Sequence, residues 1–273
     1  MQLDSILRSA LFVPGSRPER FSKAIASGAD IVIVDFEDAV EEELKAQARD
    51  HLATYLTENP GTSVVVRINA SGHRMHRDDI DFCASHRGVA AVLLAKAETL
   101  EQIHVVAKSE KPVWPLIESA LGLANLKAIS AAPAVQRLTF GALDLAFDLG
   151  LRAASGAAYR IFDQVRYQLL VNSAVHHLAK PLDTVFPNIG DPAALRSFAQ
   201  DARDLGFAGM LAIHPSQVAV IHEVFTPSQG EIDWARRVID AAQNAPGAFR
   251  LDAKMIDAPV IAEARRIVAF YSS

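Results

Sequence analysis

The sequence predicts a (β/α)8 barrel, the α/β TIM-barrel class, with a C-terminal helical extension. Three observations predict it. Eight short apolar runs recur along the chain, most of them continuous rather than alternating, as expected for parallel strands covered by helices. Helix-like segments lie between the runs, giving the βα alternation of a parallel sheet. The chain has 273 residues, 50% of them hydrophobic, which suits one large core. An open doubly wound sheet is the alternative that the same alternation allows.

The predicted strands begin with Ala10 to Gly15 (ALFVPG), Ile31 to Asp38 (IVIVDFED), Ser63 to Asn69 (SVVVRIN) and Ala91 to Lys96 (AVLLAK). They continue with Pro112 to Ser119 (PVWPLIES), Leu138 to Asp144 (LTFGALD), Asp183 to Asn188 (DTVFPN) and Gly209 to Pro215 (GMLAIHP). A helix is expected over Arg17 to Ser27, where Pro18 and Glu19 suit a first turn and Gly28 a stop. Others are expected over Glu41 to Leu56, Leu100 to Lys108, Tyr159 to Ala179 and Pro192 to Leu205, the last closed by Gly206. His176 and His177 fall inside one of these helices, where neighbours do not share a face.

After His214 the alternation stops. Helices over Gln217 to Phe225, Glu231 to Asn244 and Val260 to Tyr271 enclose a loop, APGAFRLDAKMIDAP. Residues 1–220 therefore read as the catalytic barrel. Residues 221–273 read as an extension that covers the barrel mouth or reaches a neighbouring subunit.

Composition excludes several function classes. A net charge of −5 gives no reason to expect nucleic acid or an anionic membrane as partner. One cysteine allows no internal disulfide and fits a reducing compartment. No apolar run is long enough to span a bilayer and no secretory signal is visible, so the expectation is a soluble, cytoplasmic protein. No P-loop or GxGxxG pattern is present, and no Cys/His cluster has zinc-ligand spacing.

A barrel places its chemistry at the C-terminal ends of the strands. Every predicted strand but the first ends in a charged or hydrogen-bonding group: Glu37 and Asp38, Arg67 and Asn69, Lys96, Glu118, Asp144, Asn188 and His214. Glu118 and Asp144 come from adjacent strands. Two carboxylates at one mouth suit a hard divalent cation such as Mg2+; capping of helix N-termini or pairing with lysines accounts for them equally. Arg67 ends a run of three valines, so its guanidinium requires an anion, either a substrate or Glu37 or Asp38. Arg17, Arg20 and Lys23 beside a helix N-terminus form a phosphate site or a solvated face.

Seven motifs in order carry a resemblance: LFVPGSRPERFSKA, IVDFEDAV, VVRIN, PLIESALGL, LTFGALDLAFDLG, GFAGMLAIHPSQ and KMIDAP. Together they resemble the citrate lyase β-subunit-like family, within the broader class of Mg2+-dependent acyl-CoA lyase and aldolase barrels. The resemblance implies a (β/α)8 barrel, commonly a homotrimer. It implies reversible cleavage of a 3-hydroxy-acyl-CoA, citramalyl-CoA or malyl-CoA like, to a 2-oxo acid and acetyl-CoA, with thioester hydrolysis following in some members. By this resemblance Glu118 and Asp144 match the metal ligands and Arg67 the substrate-polarising arginine. Arg17, Arg20 and Lys23 fall in the segment that meets the CoA phosphates. Asp257 matches an acid or base supplied by a neighbouring subunit, and Glu37 and Asp38 stand beneath the cation site. The chain departs from the pattern at Ala70, where relatives carry proline, and in the basic segment SGHRMHRDDI, which is placed to tune the acid end that the site accepts. Two alternatives stand beside the CoA lyase. One is a citrate lyase β subunit whose substrate rides on an acyl-carrier subunit. The other is a catalytically silent scaffolding barrel, disfavoured because the metal, arginine and tail-aspartate positions are all filled.

Overall fold

The computed structural model describes residues 6–152, 155–243 and 247–270. The chain forms two compact units, Met1–Glu223 and Val224–Ser273.

The first unit is a closed barrel of eight parallel strands: β1 (Ser9–Pro14), β2 (Ile31–Asp35), β3 (Val64–Ile68), β4 (Val89–Leu94), β5 (Val113–Ile117), β6 (Arg137–Phe140), β7 (Ala179–Asp183) and β8 (Gly209–Ala212). Closure is direct, because Ser9, Ala10 and Leu11 of β1 pair with Met210, Leu211 and Ala212 of β8. That pairing excludes the open sheet. The intervening helices are α1 (Phe21–Ile25), α2 (Lys45–Glu58), α3 (His76–Ser85), α4 (Leu100–Val106), α5 (Ala120–Ala124), α6 (Leu126–Ser130), α7 (Ala142–Asp148), α8 (Gly156–Val175), α9 (Pro192–Leu205) and α10 (Pro215–Phe225). Local signals set their ends. Asp191 caps α9 by accepting from the Ala194 N–H at 2.9 Å, and Gly206 ends it in the left-handed region at φ 104°.

The second unit holds α11 (Gln229–Ala242), a hairpin of β9 (Phe249–Leu251) and β10 (Lys254–Ile256), and α12 (Ala258–Ala269). Its own small core gathers Ala235, Val238, Ile256 and Ala264. The loop expected here thus contains a hairpin. The expected helix ends at Asn244 and Tyr271 lie outside the described residues.

Several expectations need correction. The seventh strand is Ala179–Asp183, not Asp183 to Asn188. The apolar TVF triplet drew the sequence reading, but pairing of Leu182 with Thr139 of β6 and Gly209 of β8 sets the level of the strand. Phe186 leaves the sheet and packs against Phe198 of α9, ring centroids 5.5 Å apart. Asp144 is not a strand residue; β6 ends at Phe140 and Asp144 lies in the first turn of α7. The helix expected over Arg17 to Ser27 is a 3-10 turn at Pro18–Arg20 followed by the short α1. The helix α8 stops at Val175, so His176 is its C-cap and His177 follows at φ 54°. The helix α3 begins within the basic segment SGHRMHRDDI, where the sequence predicts no element.

Strand periodicity positions the site. Ala10, Ile31, Ile33, Val65, Ala91, Leu93, Trp114, Leu116, Leu182 and Leu211 meet in one buried cluster drawn from seven of the strands, which fills the barrel interior. Side chains alternate at period two. The next interior positions toward the C-terminal ends are therefore Asp35 after Ile33, Arg67 after Val65, Glu118 after Leu116 and Thr184 after Leu182.

Candidate active site

Asp35 and Arg67 are directly paired in the β2–β3 register. The guanidinium grips Asp35 in a two-pronged bond, Nε to Oδ1 at 2.7 Å and Nη2 to Oδ2 at 2.5 Å, and Nη1 meets Glu37 Oε2 at 3.2 Å. Its Cζ lies over the Phe12 ring, 5.0 Å from the centroid. Burial alone lowers the affinity of Arg67 for its proton, but Asp35 and Glu37 more than offset this, so the group stays a cation. One N–H on each of Nη1 and Nη2 remains beyond these three bonds. The anion that Arg67 requires is thus chiefly Asp35, which the sequence reading passed over in favour of Glu37 and Asp38. Period-two counting from Ile31 and Ile33 places Asp35 on the interior face and is the signal that could have found it.

Glu37 is buried and bridges two cations, Arg67 on one oxygen and the Lys96 ammonium on the other. Burial pushes its carboxyl up while Arg67 and Lys96 pull it down. Asp38 is more exposed and meets Lys96 Nζ at 3.2 Å. Lys45, buried beneath, donates to the Phe36 and Glu37 carbonyls at 3.0 and 2.7 Å, which anchors the turn after β2. Lys96 sits at φ 49°, a conformation uncommon for a residue with a Cβ. Its backbone N–H donates to Glu118 Oε1 at 2.8 Å while its side chain reaches the opposite acids.

Glu118 is 3% exposed. Burial above all, with the charges of Asp144 and Glu37 adding to it, pushes its carboxyl up to about 8 against the attraction of Arg67 and the Lys96 N–H. Among the described residues, no side-chain cation lies within ion-pair distance of Glu118 or Asp144. No three His, Cys, Asp or Glu groups among them form a ready-made cage. Two carboxylates nonetheless fit Mg2+, which usually takes one or two from the protein and completes its shell with water and substrate oxygens. A divalent cation held by these acids would offset the burial of the Glu118 charge and its lesser repulsion by Asp144, so these residues suit the ion. Gly141, at the start of α7, makes the approach possible, because a Cβ there would lie 2.5 Å from Glu118 Oε2.

Other sequence candidates fall elsewhere. Asn69 turns to α3, giving both its backbone and side-chain N–H to Asp79 Oδ2 at 3.0 and 2.7 Å. Asn188 is exposed beyond β7 and receives the Gly190 N–H at 3.2 Å. His214 is exposed and paired with Ser216 at 2.7 Å. Arg17, Arg20 and Lys23 are exposed. Their helix N-terminus has no spare donors at two of these positions: the Arg17 N–H goes to Pro14 O and the Arg20 N–H to Arg17 O. At those two positions only side-chain charge is left for a phosphate. Asp257 lies in the second unit as the N-cap of α12, accepting from the Val260 N–H at 3.4 Å. The sequence reading also missed Asp183, fully buried at the end of β7 and paired with Arg166 of α8 at 3.0 Å.

A closed βα barrel whose mouth gathers buried acids around one arginine and a cation-ready carboxylate pair defines a barrel enzyme of the metal-assisted class. Residues 8–215 match the model of the HpcH/HpaI aldolase/citrate lyase family, and the chain belongs to that family. It is similar to a citrate lyase subunit beta-like protein of Mycobacterium tuberculosis, 38% identical over 262 residues that cover 94% of this chain and 93% of the other. It is also similar to the mitochondrial citramalyl-CoA lyase of Rattus norvegicus, 30% identical over 294 residues covering 97% and 86%. Among solved structures it superposes with the protein CitE of Mycobacterium tuberculosis in complex with magnesium, acetoacetate and coenzyme A. There the TM-score is 0.86 and the identity 34%, over 99% of this chain and 100% of that one.

Proposed function

We propose that this chain is a Mg2+-dependent carbon–carbon lyase that cleaves a citramalyl-CoA-like or malyl-CoA-like thioester to a 2-oxo acid and acetyl-CoA, reversibly. The observation that carries the reading is the pair Glu118 and Asp144, with no side-chain cation within ion-pair distance among the described residues, beside the Arg67 guanidinium. Membership of an aldolase/citrate lyase family supports the reaction type, and the magnesium and coenzyme A bound by the similar CitE structure support the ion and thioester.

When bound, the ion supplies a Lewis acid that polarises the hydroxyl and carboxylate oxygens of the substrate. Glu118 and Asp144 hold it. Asp35 and Glu37 fix the Arg67 plane, so its remaining N–H groups are preorganised for an oxygen that gains charge as the bond breaks. In cleavage the hydroxyl proton passes to a base, the C–C electron pair moves onto the thioester as its enolate, and a proton then converts that enolate to the acetyl group. Asp257 is the acid or base of this reading, supplied by the extension of a neighbouring copy in a homotrimer. Lys96 keeps Glu37 and Asp38 oriented beneath the site. Arg17, Arg20 and Lys23 meet the CoA phosphates through side-chain charge. The setting is cytoplasmic; among the described residues no helix is long and apolar enough to cross a membrane.

The test is direct. Purified protein with Mg2+ and citramalyl-CoA or malyl-CoA is expected to release pyruvate or glyoxylate, and Glu118→Gln and Asp144→Asn to stop release while the fold persists. Turnover that appears only with an acyl-carrier subunit would replace the CoA reading with the citrate lyase one. Undiminished turnover in both variants would remove the metal assignment.

A further inference from the structure

We propose that Thr184, at the end of β7, is a positioning residue for the Asp144 carboxylate, acting as the cap that helix α7 lacks. The inference rests on Asp144 being a magnesium ligand.

The argument begins with a conflict at Gly141. This residue is the N-cap of α7, a position where Ser, Thr, Asp or Asn ordinarily supplies a side-chain oxygen to the first turn. None of these fits, because any Cβ at 141 would meet Glu118 Oε2 at 2.5 Å and Glu118 Cβ at 3.0 Å. The packing of Glu118 against Gly141 therefore denies the helix a cap of its own, and α7 has no side-chain cap from Gly141. The backbone N–H of Gly141 is already taken by Ile117 O of β5 at 3.1 Å. An acid at the third helical position, where Asp144 stands, commonly folds back onto that N–H in a capping box. Here the N–H is occupied, so the Asp144 carboxylate is released from capping and left for another partner.

One orphan donor of the first turn is satisfied from outside. The Ala142 N–H donates to Thr184 Oγ1 at 3.0 Å, across the gap from β6 to β7. Thr184 is 2% exposed and itself held. Its N–H donates to Asp183 Oδ1 at 2.9 Å, and Asp183 receives Arg166 Nε at 3.1 Å on each oxygen and Nη2 at 3.0 Å. Arg166 is in turn bound by Asp163 at 3.0 Å and lies over the rings of Phe140 and Phe198, 5.9 and 5.0 Å from their centroids. A buried chain of contacts thus runs from α8 through the end of β7 to the first residue of α7, two positions before Asp144. Its effect is to fix the turn from which that carboxylate projects. Partners standing behind metal ligands act in this way, and their loss costs on the order of 10- to 100-fold in metal affinity.

The test titrates the full-length protein with MgCl2 by calorimetry and follows amide hydrogen exchange at residues 142–145. Thr184→Val keeps the volume and removes the oxygen. It is expected to bind Mg2+ about tenfold more weakly and to lose protection at residues 142–145. Thr184→Ser, which retains the oxygen, is expected to restore both. Equal losses in the serine and valine variants would trace the effect to packing and overturn the proposal. So would wild-type affinity and protection in Thr184→Val. Asp144→Asn separates the two levels: if it abolishes binding while Thr184→Val does not, the positioning role alone falls. If Asp144→Asn binds Mg2+ like wild type, the ligand reading falls and takes this inference with it.

Discussion

Replacing Gly141 by alanine tests the geometry of the site with a single methyl group. The backbone there is at φ −102° and ψ 97°, a conformation open to any residue, so conformational strain contributes nothing. Taken alone, the change would stabilise by about 0.4–1 kcal/mol, because alanine has fewer unfolded conformations to lose. The contact opposes it. The new Cβ would sit 2.5 Å from Glu118 Oε2, about 0.9 Å inside the 3.4 Å at which ordinary contact begins. Glu118 has little room to yield, being 3% exposed and bonded to the Lys96 N–H at 2.8 Å. Overpacking of this kind costs about 1–3 kcal/mol, which exceeds the entropic gain. The displaced carboxylate also loses the position from which it would hold the ion. At 1.4 kcal/mol per factor of ten, the same cost expressed at the ion corresponds to roughly 5- to 150-fold weaker Mg2+ binding. Calorimetric titration with Mg2+ and thermal melting of the same sample measure the two effects. Wild-type affinity together with an unchanged or raised melting temperature would refute the reasoning, since it would mean that Glu118 is not held against Gly141.

Three further outcomes are expected. Asp35→Ala leaves Arg67 buried without its principal partner and should destabilise the fold by about 3–5 kcal/mol, with turnover falling as well; urea unfolding checks it, and a loss below 1 kcal/mol would contradict the buried pair. Burial raises the Asp30 carboxyl, but hydrogen bonds from His222 and Arg8 outweigh it and hold the group well below its ordinary 3.8. The stability it contributes is therefore present above that value and lost as pH falls below it, so Asp30→Asn should flatten the acid-unfolding curve between about pH 5 and pH 1. Cys83 is fully buried and burial pushes its thiol far up, so iodoacetamide should label it only after unfolding, as mass spectrometry of native and urea-treated samples will show.

The barrel was legible because its signal is local and repeated. Each strand is a short run of β-branched and aliphatic residues, and each such run carries its own evidence. The boundaries were less legible where apolar content and strand pairing disagree. TVF after Asp183 reads as strand, yet hydrogen bonding with β6 and β8 ends β7 at Asp183. The site was half legible. Glu118 and Arg67 each stand at an interior position just past an apolar run, and the sequence reading selected both. Asp35 has the same standing but hides inside IVIVDFED, where the following acids at 37 and 38 drew attention instead. Arg166 and Thr184 carried no signal, because a polar residue in a helix or among the apolar residues of an expected strand is unremarkable until its partner is known.

By its order of residues the chain determined the eight barrel strands and their alternation with helices, the presence of acids and one arginine at strand ends, and the family to which it belongs. Those properties follow from side-chain periodicity and identity, which are readable along one dimension. Tertiary structure alone decided which acid holds Arg67, why position 141 must lack a side chain, and how the first turn of α7 is capped from the next strand. Each of those facts depends on ångström-scale distances between residues far apart in the chain, and sequence spacing does not encode such distances.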